Sequence, residues 1–330
     1  MHRAPILLGA AAATITVAVV GYGIASVIVY ERLTTIGPCP GAWGANNPSH
    51  FSMNGPDGAP LAGHDDFDTA PYLMPSPEDV RIRSRTAGIE LAGWFVAAPD
   101  PGAPVVVVVH GRGACRRDPT ALLPAGMLHR NGFAVLMVDL REHGESTIED
   151  GHFAAGTEEY QDILGAWDWL RTTRSVAPDR IGLAGVSLGA ATALIAAGRE
   201  PGVAGVWADS SHADLPEFIR DELARQGYPT FLDIGAVVAG RILHGDDLAA
   251  VSPSDSVREL AGRQLFITHG EADVVVDVRH GRALVAAAHA SGATPETWFV
   301  PGSGHTLAMV DQASEYERRI VAFFRIALRR

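Results

Sequence analysis

The sequence predicts an α/β protein with a mostly parallel central sheet flanked by helices. From about residue 80 onward, short apolar runs rich in β-branched residues alternate with stretches of helical periodicity. Several of these runs are continuously apolar, which is typical of strands that are buried on both faces of a parallel sheet. The chain of 330 residues with 47% hydrophobic content is also long enough for one full-sized α/β domain. Together these observations indicate a doubly wound sheet with right-handed crossovers.

An uncharged segment opens the chain and precedes this domain. No charged residue occurs between Ile6 and Tyr30, a run of about 25 residues, and roughly 20 apolar residues cross a bilayer as a helix. Residues 1–31 are therefore predicted to be an N-terminal transmembrane signal anchor; a cleaved signal and a buried helix are the alternatives. His2 and Arg3 favour a cytoplasmic N-terminus, so we expect a single-pass protein of the cell membrane with an extracytoplasmic domain.

Residues 32–79 are predicted to be an irregular linker. They are rich in Pro, Gly, Asn and Asp and show no sustained periodicity, which indicates a tether and lead-in on the domain surface. One of the two cysteines, Cys39, lies here, and the other, Cys115, follows the first central strand. A disulfide between them would suit an extracytoplasmic domain, and two free thiols are the alternative.

Residues 80–330 are predicted to form the α/β domain. The alternating stretch 80–97 turns near Gly88 and predicts a β-hairpin. Further strands are predicted at residues 104–110, 133–139, 180–185, 203–208, 264–270 and 296–300. An apolar stripe at helical spacing between two of these strands is interpreted as core packing; it comprises Tyr160, Ile163, Leu164, Trp167 and Leu170. Two helical patterns within about 209–260 predict a small helical cap.

Composition excludes several classes of function. The net charge of -12 argues against a nucleic-acid-binding surface, because phosphate contacts need clustered cations. The arginine pairs at 116–117, 318–319 and 329–330 are interpreted as solvated helix and loop ends. All 26 basic residues are arginine, so Ser–Lys dyads, Schiff-base chemistry and Walker-type phosphate loops are excluded.

The pentapeptide "GVSLG", residues 185–189, is a candidate nucleophile motif. Ser187 follows the predicted strand 180–185 and precedes an alanine-rich helical stretch. A sharp turn between a strand and a helix presents a serine at the carboxyl edge of the sheet, where ligands bind in open α/β sheets. Gly185 and Gly189 supply the small neighbours that such a turn requires.

A base and an acid for this serine occur later in the chain. His305 follows the last predicted strand and is the predicted base. Asp273 lies just past the strand 264–270 and is the predicted acid, which gives the order nucleophile, acid, base. Glu271 and Asp209 are alternative acids.

Two backbone donors are predicted to bind the oxyanion of the tetrahedral intermediate. One is the N–H of Leu188, the residue after the nucleophile, and the other is the N–H of Arg112, in the loop after the first central strand. The Arg112 guanidinium is interpreted either as a ligand for an anionic substrate group or as an exposed loop arginine. His110 and Gly111 are predicted to have a structural role in the same loop.

The motifs "VVHGRGA", "MVDLREHGES", "LAGVSLGA", "ITHGEADVVV" and "GSGH", taken in this order, resemble the α/β-hydrolase superfamily between Arg81 and Arg330. Within it, the chain resembles membrane-anchored hydrolases of the bud-emergence-46 type and the serine aminopeptidase S33 (monoglyceride-lipase-like) group. Glu142 departs from this family's usual Arg-Gly-His-Gly, in which glycine stands at that position. The resemblance implies the α/β-hydrolase fold and no metal or organic cofactor.

The sequence thus predicts a membrane-tethered serine hydrolase that cleaves an ester or thioester of a small-molecule or lipid acyl substrate. A serine peptidase of the same fold and a non-catalytic scaffold are the alternatives, and the oligomeric state stays open. Apolar cap residues are interpreted either as the lining of an acyl pocket or as packing of the cap onto the sheet; they are Phe218, Leu223, Phe231, Ile234, Val237 and Ile242.

Overall fold

The computed structural model of the protein describes residues 3–64 and 66–328, so His2 and the pair 329–330 lie outside the described residues. The strands are β1 (Glu78–Arg83), β2 (Glu90–Val96), β3 (Val105–Val109), β4 (Ala134–Val138), β5 (Ile181–Val186), β6 (Gly205–Asp209), β7 (Gln264–Gly270) and β8 (Glu296–Val300). The helices are α1 (Arg3–Thr34), α2 (Pro119–Arg130), α3 (Tyr160–Thr172), α4 (Leu188–Arg199), α5 (Leu215–Arg225), α6 (Leu232–Leu243), α7 (Pro253–Arg258), α8 (Val278–Ala290), α9 (Ala308–Asp311) and α10 (Ala313–Ala327).

In the part of the chain that the structure describes, all the strands belong to one sheet. Its eight strands lie in the order β1-β2-β4-β3-β5-β6-β7-β8. β2 runs antiparallel to both β1 and β4, and the remaining neighbours are parallel. β1 and β2 form the hairpin that the alternating stretch 80–97 predicts, and β3–β8 lie where apolar runs predict strands. The predicted α/β architecture is confirmed.

The central strands separate two apolar layers, as the continuous valine run of β3 predicts. Val105, Val107 and Val109 pack in one layer, which includes side chains of α3, α4 and α8. Val106 and Val108 pack in the other layer, with side chains of α2 and α10. All five valines are buried, and full burial of each one stabilises the fold by about 1.5–3 kcal/mol relative to an exposed side chain.

The segment between α1 and β1 is more deeply buried than a surface tether would be. It is irregular, yet Phe51, Met53, Tyr72 and Met74 are buried against the layer that contains α2. A Cβ atom at Gly126 of α2 would overlap the carbonyl oxygen of Tyr72, so helix and segment are in close contact. The expectation of a tether on the domain surface is therefore wrong, because the segment supplies core side chains.

A disulfide fixes the start of this segment to the sheet. Cys39 and Cys115 are bonded, and they are separated by 76 positions in the sequence. Trp43, four residues after Cys39, packs in the same small apolar cluster. The bond therefore attaches the segment after α1 to the loop that follows β3.

Helix α1 is packed against the cap rather than standing apart from the domain. Its stretch Ala13–Thr34 is long and apolar enough to cross a membrane, and most of it is exposed. The C-terminal part of α1 lies beside α6, and the two helices run parallel. A Cβ at Gly235 would overlap the Ser26 hydroxyl, and one at Gly240 would lie 2.6 Å from the Tyr30 ring. Glycine at these two positions allows the close approach.

The cap consists of α5 and α6. Helix α7 also lies within the range 209–260, but it packs against α4 and α8 and belongs to the helical layer of the sheet. The outer face of α6 exposes Ile234, Val238 and Ile242, which recur at intervals of four residues. This apolar face continues the exposed apolar surface of α1.

Candidate active site

Ser187 lies on the sharp turn between β5 and α4. Its φ is 53°, in the left-handed region, where a non-glycine residue is strained by about 1–3 kcal/mol. Its backbone N–H donates to the Asp209 carbonyl at 2.8 Å and helps to hold this conformation. A Cβ at Gly185 would overlap the carbonyl of Gly189, and one at Gly189 would overlap that of Val109. Both glycines are therefore required by close backbone contacts around the serine.

His305 connects Ser187 to Asp273. Its Nε2 lies 2.9 Å from Ser187 Oγ, and its Nδ1 lies 2.7 Å from Asp273 Oδ2. His305 comes from the loop after β8 and Asp273 from the loop after β7, so the carboxyl edge of the sheet brings the three side chains together. A base within reach of the hydroxyl and a carboxylate that orients the base are what nucleophilic serine chemistry requires.

The Asp273 carboxylate is fixed on both oxygens. Oδ1 accepts the backbone N–H groups of Val275 and Val276 at 2.8 and 2.9 Å. Burial alone would raise the Asp273 pKa, but hydrogen bonding to His269 and His305 outweighs burial and holds the pKa well below its usual range. Asp273 is therefore ionised and is able to stabilise a positive charge on His305. The sequence did not predict His269 as a member of the site.

The two alternative acids are engaged elsewhere. The Asp209 carboxylate accepts hydrogen bonds from Ser210 Oγ at 2.9 Å and Tyr316 OH at 3.0 Å. Burial raises the Asp209 pKa to about 6. Glu271 pairs with Arg282 at 2.9 Å on the surface. Neither carboxylate is hydrogen-bonded to the imidazole of His305.

The backbone donors predicted for the oxyanion lie beside Ser187. Arg112 and Leu188 line the same cavity as the serine. Leu188 is the first residue of α4, and N–H groups in the first turn of a helix have no intrahelical acceptor. Within residues 3–64 and 66–328, neither the Arg112 N–H nor the Leu188 N–H has a hydrogen-bond acceptor. Both are free to bind a substrate oxygen.

His110 holds the loop that carries Arg112. Its Nδ1 donates to the carbonyl of Gly111 at 2.7 Å, and its Nε2 accepts the N–H of Leu140 at 3.1 Å. Burial lowers the His110 pKa to about 4, so the ring is neutral near pH 7, as one donor and one acceptor require. A Cβ at Gly111 would lie 3.5 Å from the Ser187 Cβ, which places this loop in contact with Ser187.

The site opens into a cavity of about 300 Å³. Its walls are mostly apolar; the apolar lining residues are Trp43, Pro56, Leu61, Phe153, Ala155, Val186, Leu188, Leu215, Phe218, Val275 and Val276. Trp43, Pro56 and Leu61 come from the segment before β1. The sequence did not predict that these three residues line the site, because an irregular segment carries no periodic signal.

Of the six cap residues that the sequence singled out, Phe218 lines the cavity. The remaining five lie elsewhere. Leu223 is buried in the layer beneath the cap, and Val237 packs against that layer. Phe231, Ile234 and Ile242 are exposed on the outside of the cap. For these five the acyl-pocket interpretation is wrong, because two of them pack beneath the cap and the other three are exposed on its outside.

The Arg112 side chain connects the cavity to the end of α1. The residue is exposed, and its guanidinium lies over the Phe153 ring, 5.4 Å from the centroid. The same group donates to the carbonyl oxygen of Arg32 at 3.4 Å. The cavity therefore lies close to the point at which the apolar run of α1 ends.

The fold and the family comparison define the class: the protein is a serine hydrolase with the α/β-hydrolase fold. The chain belongs to the prolyl oligopeptidase family, whose model matches residues 124–330. A relative in Mycobacterium tuberculosis, the uncharacterized protein Rv2307c, is 28% identical over 243 residues, which cover 72% of this chain and 75% of the relative.

Solved structures share the fold at low sequence identity. The Pyrococcus furiosus esterase Pf2001 superimposes with a TM-score of 0.62 at 19% identity, over 80% of this chain and 96% of the esterase. The Pyrococcus horikoshii acylaminoacyl peptidase gives a TM-score of 0.58 at 18% identity, over 77% of this chain and 42% of the peptidase. The fold is thus shared by an esterase and a peptidase.

Proposed function

We propose that the protein is a membrane-tethered serine hydrolase that cleaves esters or thioesters through Ser187, His305 and Asp273. The observation that carries this proposal is the continuous hydrogen-bonded chain through His305, with separations of 2.9 Å to the serine and 2.7 Å to the aspartate. The narrower resemblance to membrane-anchored hydrolases of the bud-emergence-46 type and to the S33 group is part of the same proposal.

The proposed reaction has two halves. Ser187 Oγ attacks the acyl carbon while its proton passes to His305 Nε2, and the ionised Asp273 stabilises the resulting imidazolium. The N–H groups of Leu188 and Arg112 stabilise the oxyanion. His305 then gives the proton to the departing alcohol or thiol, which leaves an acyl-enzyme. Water, activated by the same imidazole, hydrolyses this intermediate and regenerates Ser187.

The lining of the cavity favours an acyl group over a peptide amino terminus. An ammonium group requires a free carboxylate, and the carboxylate among the described lining residues is Asp118. Its side chain accepts the N–H of Thr120 and caps α2, and burial raises its pKa to about 6. Peptidase activity is the second candidate function, because the family match favours it.

Three features support a position at a membrane. The stretch Ala13–Thr34 is long and apolar enough to span a bilayer. The exposed face of α6 lies beside this helix, with Ile234 and Ile242 66% and 76% exposed. Arg112 links the cavity to Arg32 at the end of α1. We infer that a lipid acyl chain has a short path from the bilayer to Ser187.

The disulfide supports an extracytoplasmic domain.

We expect a fluorophosphonate probe to label the full-length protein in detergent and to leave Ser187→Ala unlabelled. The probe forms a covalent bond with an activated serine hydroxyl, so removal of Oγ removes the reaction. Gel fluorescence measures labelling, and thermal unfolding verifies that the variant is folded. Labelling that persists in Ser187→Ala would identify a different nucleophile, and a folded wild-type protein without labelling would contradict the proposal.

A substrate panel separates the two candidate activities. We expect turnover of p-nitrophenyl esters and acyl thioesters, and little turnover of aminoacyl p-nitroanilides. Ser187→Ala is the control for every substrate. Faster turnover of the anilides than of the esters would make the protein a peptidase and would reverse the assignment.

The outer face of α6 gives a separate prediction for the membrane. In the full-length protein reconstituted into phosphatidylcholine vesicles, the double change Ile234→Gln with Ile242→Gln is expected to lower hydrolysis of a long-chain ester at least about tenfold relative to a short soluble ester. Each exposed isoleucine gains about 1.5–3 kcal/mol when lipid covers it. Ile326→Gln on α10, also exposed, is the control. An unchanged ratio would mean that lipid does not cover α6.

A further inference from the structure

Four side chains meet where α1 ends beside the cap. Glu31 comes from α1, Asp150 and His152 come from the loop between β4 and α3, and His244 directly follows α6. One potential ligand atom from each of Glu31, His152 and His244 lies within 4.8 Å of the other two. None of these residues belongs to the proposed catalytic site.

Asp150 directs both imidazoles toward Glu31. His244 Nδ1 lies 2.6 Å from Asp150 Oδ2, and His152 Nδ1 lies 3.2 Å from the Asp150 carbonyl oxygen. When each Nδ1 carries its hydrogen and donates it to Asp150, both Nε2 atoms keep a lone pair. These atoms face the Glu31 carboxylate, at 2.9 Å from His152 and 3.6 Å from His244. Metal-binding histidines are commonly oriented by such a second hydrogen bond.

Surrounding residues hold the two imidazoles in place. The buried ring of Tyr30 lies against His152 and His244, with centroid separations of 5.5 and 5.2 Å. The Tyr30 hydroxyl donates to Asp246, next to the cap. Because Tyr30 precedes Glu31, the same turn of α1 supplies both the packing surface and the carboxylate.

Glu142 fixes the loop that carries Asp150 and His152. It replaces the glycine usual in the related motif, and its φ of 62° is in the left-handed region that favours glycine. Its carboxylate accepts the N–H groups of Glu149 at 2.8 Å and Gly151 at 2.7 Å. The residue that departs from the motif therefore orders the loop beside the cluster.

We propose that Glu31, His152 and His244 form a binding site for a divalent transition-metal cation such as Zn²⁺. Ligand atoms about 2.0–2.1 Å from a tetrahedral zinc ion lie roughly 3.4 Å apart. The separation is 2.9 Å from His152 Nε2 to Glu31 Oε2 and 3.6 Å from His244 Nε2 to Glu31 Oε1, and the three ligand atoms lie within 4.8 Å of one another. Side-chain rotations can therefore bring both nitrogens and one carboxylate oxygen to a single ion. Two imidazole donors favour Zn²⁺ over Ca²⁺ or Mg²⁺, which prefer oxygen ligands. Water completes the coordination.

The bound ion links three parts of the molecule. Glu31 attaches it to α1, His152 to the core of the hydrolase and His244 to the C-terminal end of α6. The ion has a structural role: it stabilises the contact between the membrane-proximal helix and the cap, and it takes no part in acyl transfer. A cluster of protonated histidines paired with the two carboxylates is the competing arrangement, and it requires no metal.

The test is a zinc titration of the full-length protein, purified in detergent without a polyhistidine tag and treated with EDTA. Isothermal titration calorimetry is expected to show one bound Zn²⁺ per chain. His244→Ala, His152→Ala and Glu31→Gln are each expected to weaken binding at least tenfold. Glu31→Gln preserves the shape of the side chain, so it remains informative if a histidine variant unfolds. Asp150→Asn is expected to weaken binding roughly tenfold, because the Asp150 carboxylate orients His244.

His289→Ala is the matched control, because this exposed histidine lies on α8 away from the cluster; it is expected to bind zinc like the wild type. Zinc is also expected to raise the melting temperature of the wild type and of His289→Ala, but not of His244→Ala. The absence of a bound equivalent in the wild type, or equal affinity in the wild type and all three ligand variants, would overturn the proposal. Fluorophosphonate labelling of the same samples tests the catalytic site independently.

Discussion

Replacing Asp273 with asparagine is expected to lower kcat for ester hydrolysis by about 10,000-fold, with little change in the fold. The amide keeps the size of the carboxylate, and its oxygen still accepts the N–H groups of Val275 and Val276. It loses the negative charge that stabilises protonated His305, and it turns a donor toward the imidazole that favours the wrong tautomer. Steady-state kinetics on a short p-nitrophenyl ester would measure the loss.

Two carboxylates serve as matched controls for Asp273. Asp209→Asn removes a buried charge that is bonded to Ser210 and Tyr316, and Glu271→Gln removes one that pairs with Arg282 on the surface. We expect each control to retain kcat within about tenfold, because neither carboxylate orients the base. If Asp209→Asn lowered kcat by about 10,000-fold while Asp273→Asn remained nearly active, Asp209 would be the acid instead.

Removal of the disulfide is expected to have the largest effect on stability. The double change Cys39→Ser with Cys115→Ser should lower the free energy of unfolding by about 4 kcal/mol, within the 2–5 kcal/mol range typical of a native disulfide. The separation of 76 positions makes the closed loop long, and a long loop restricts the unfolded chain strongly. Denaturant unfolding of the full-length protein in detergent, followed by tryptophan fluorescence, measures the change.

The same substitution should also affect the cavity. Trp43 lines the cavity and packs beside the disulfide, so a loosened segment should raise KM for long-chain esters more than for short ones. Reduced wild-type protein is the control and should unfold like the double variant. Equal unfolding free energies for the oxidised wild type and the double variant would show that this bond does not stabilise the fold.

The sheet and the arrangement around Ser187 could be predicted because their signals are local in the sequence. The valine run of β3 is apolar on both faces, which a central parallel strand requires. Ser187, Asp273 and His305 each follow a predicted strand, and parallel strands bring their carboxyl ends to one edge of the sheet. The position of each residue directly after a strand is therefore enough to predict that these three side chains meet.

Other features depend on contacts between distant segments and leave no local pattern. The segment before β1 buries Phe51 and Met53 without periodicity, because it follows the surface of α2 and not a helix or strand axis. The apolar residues of α6 are interpreted from the sequence as pocket lining or cap packing. Their exposure beside α1 is seen only in the tertiary structure. Glu31, His152 and His244 are separated in sequence by 121 and 92 positions, so their meeting follows from tertiary packing alone.

The packing of Tyr30 against Gly240 sets an order of events during biosynthesis. Helix α1 leaves the ribosome well before α6, and α6 needs the buried ring of Tyr30 to complete its inner face. A chain that lost its first 31 residues would expose this face and lack the residue that seals it. We therefore expect the inner face of α6 to be complete only in chains whose leading helix is already packed against it.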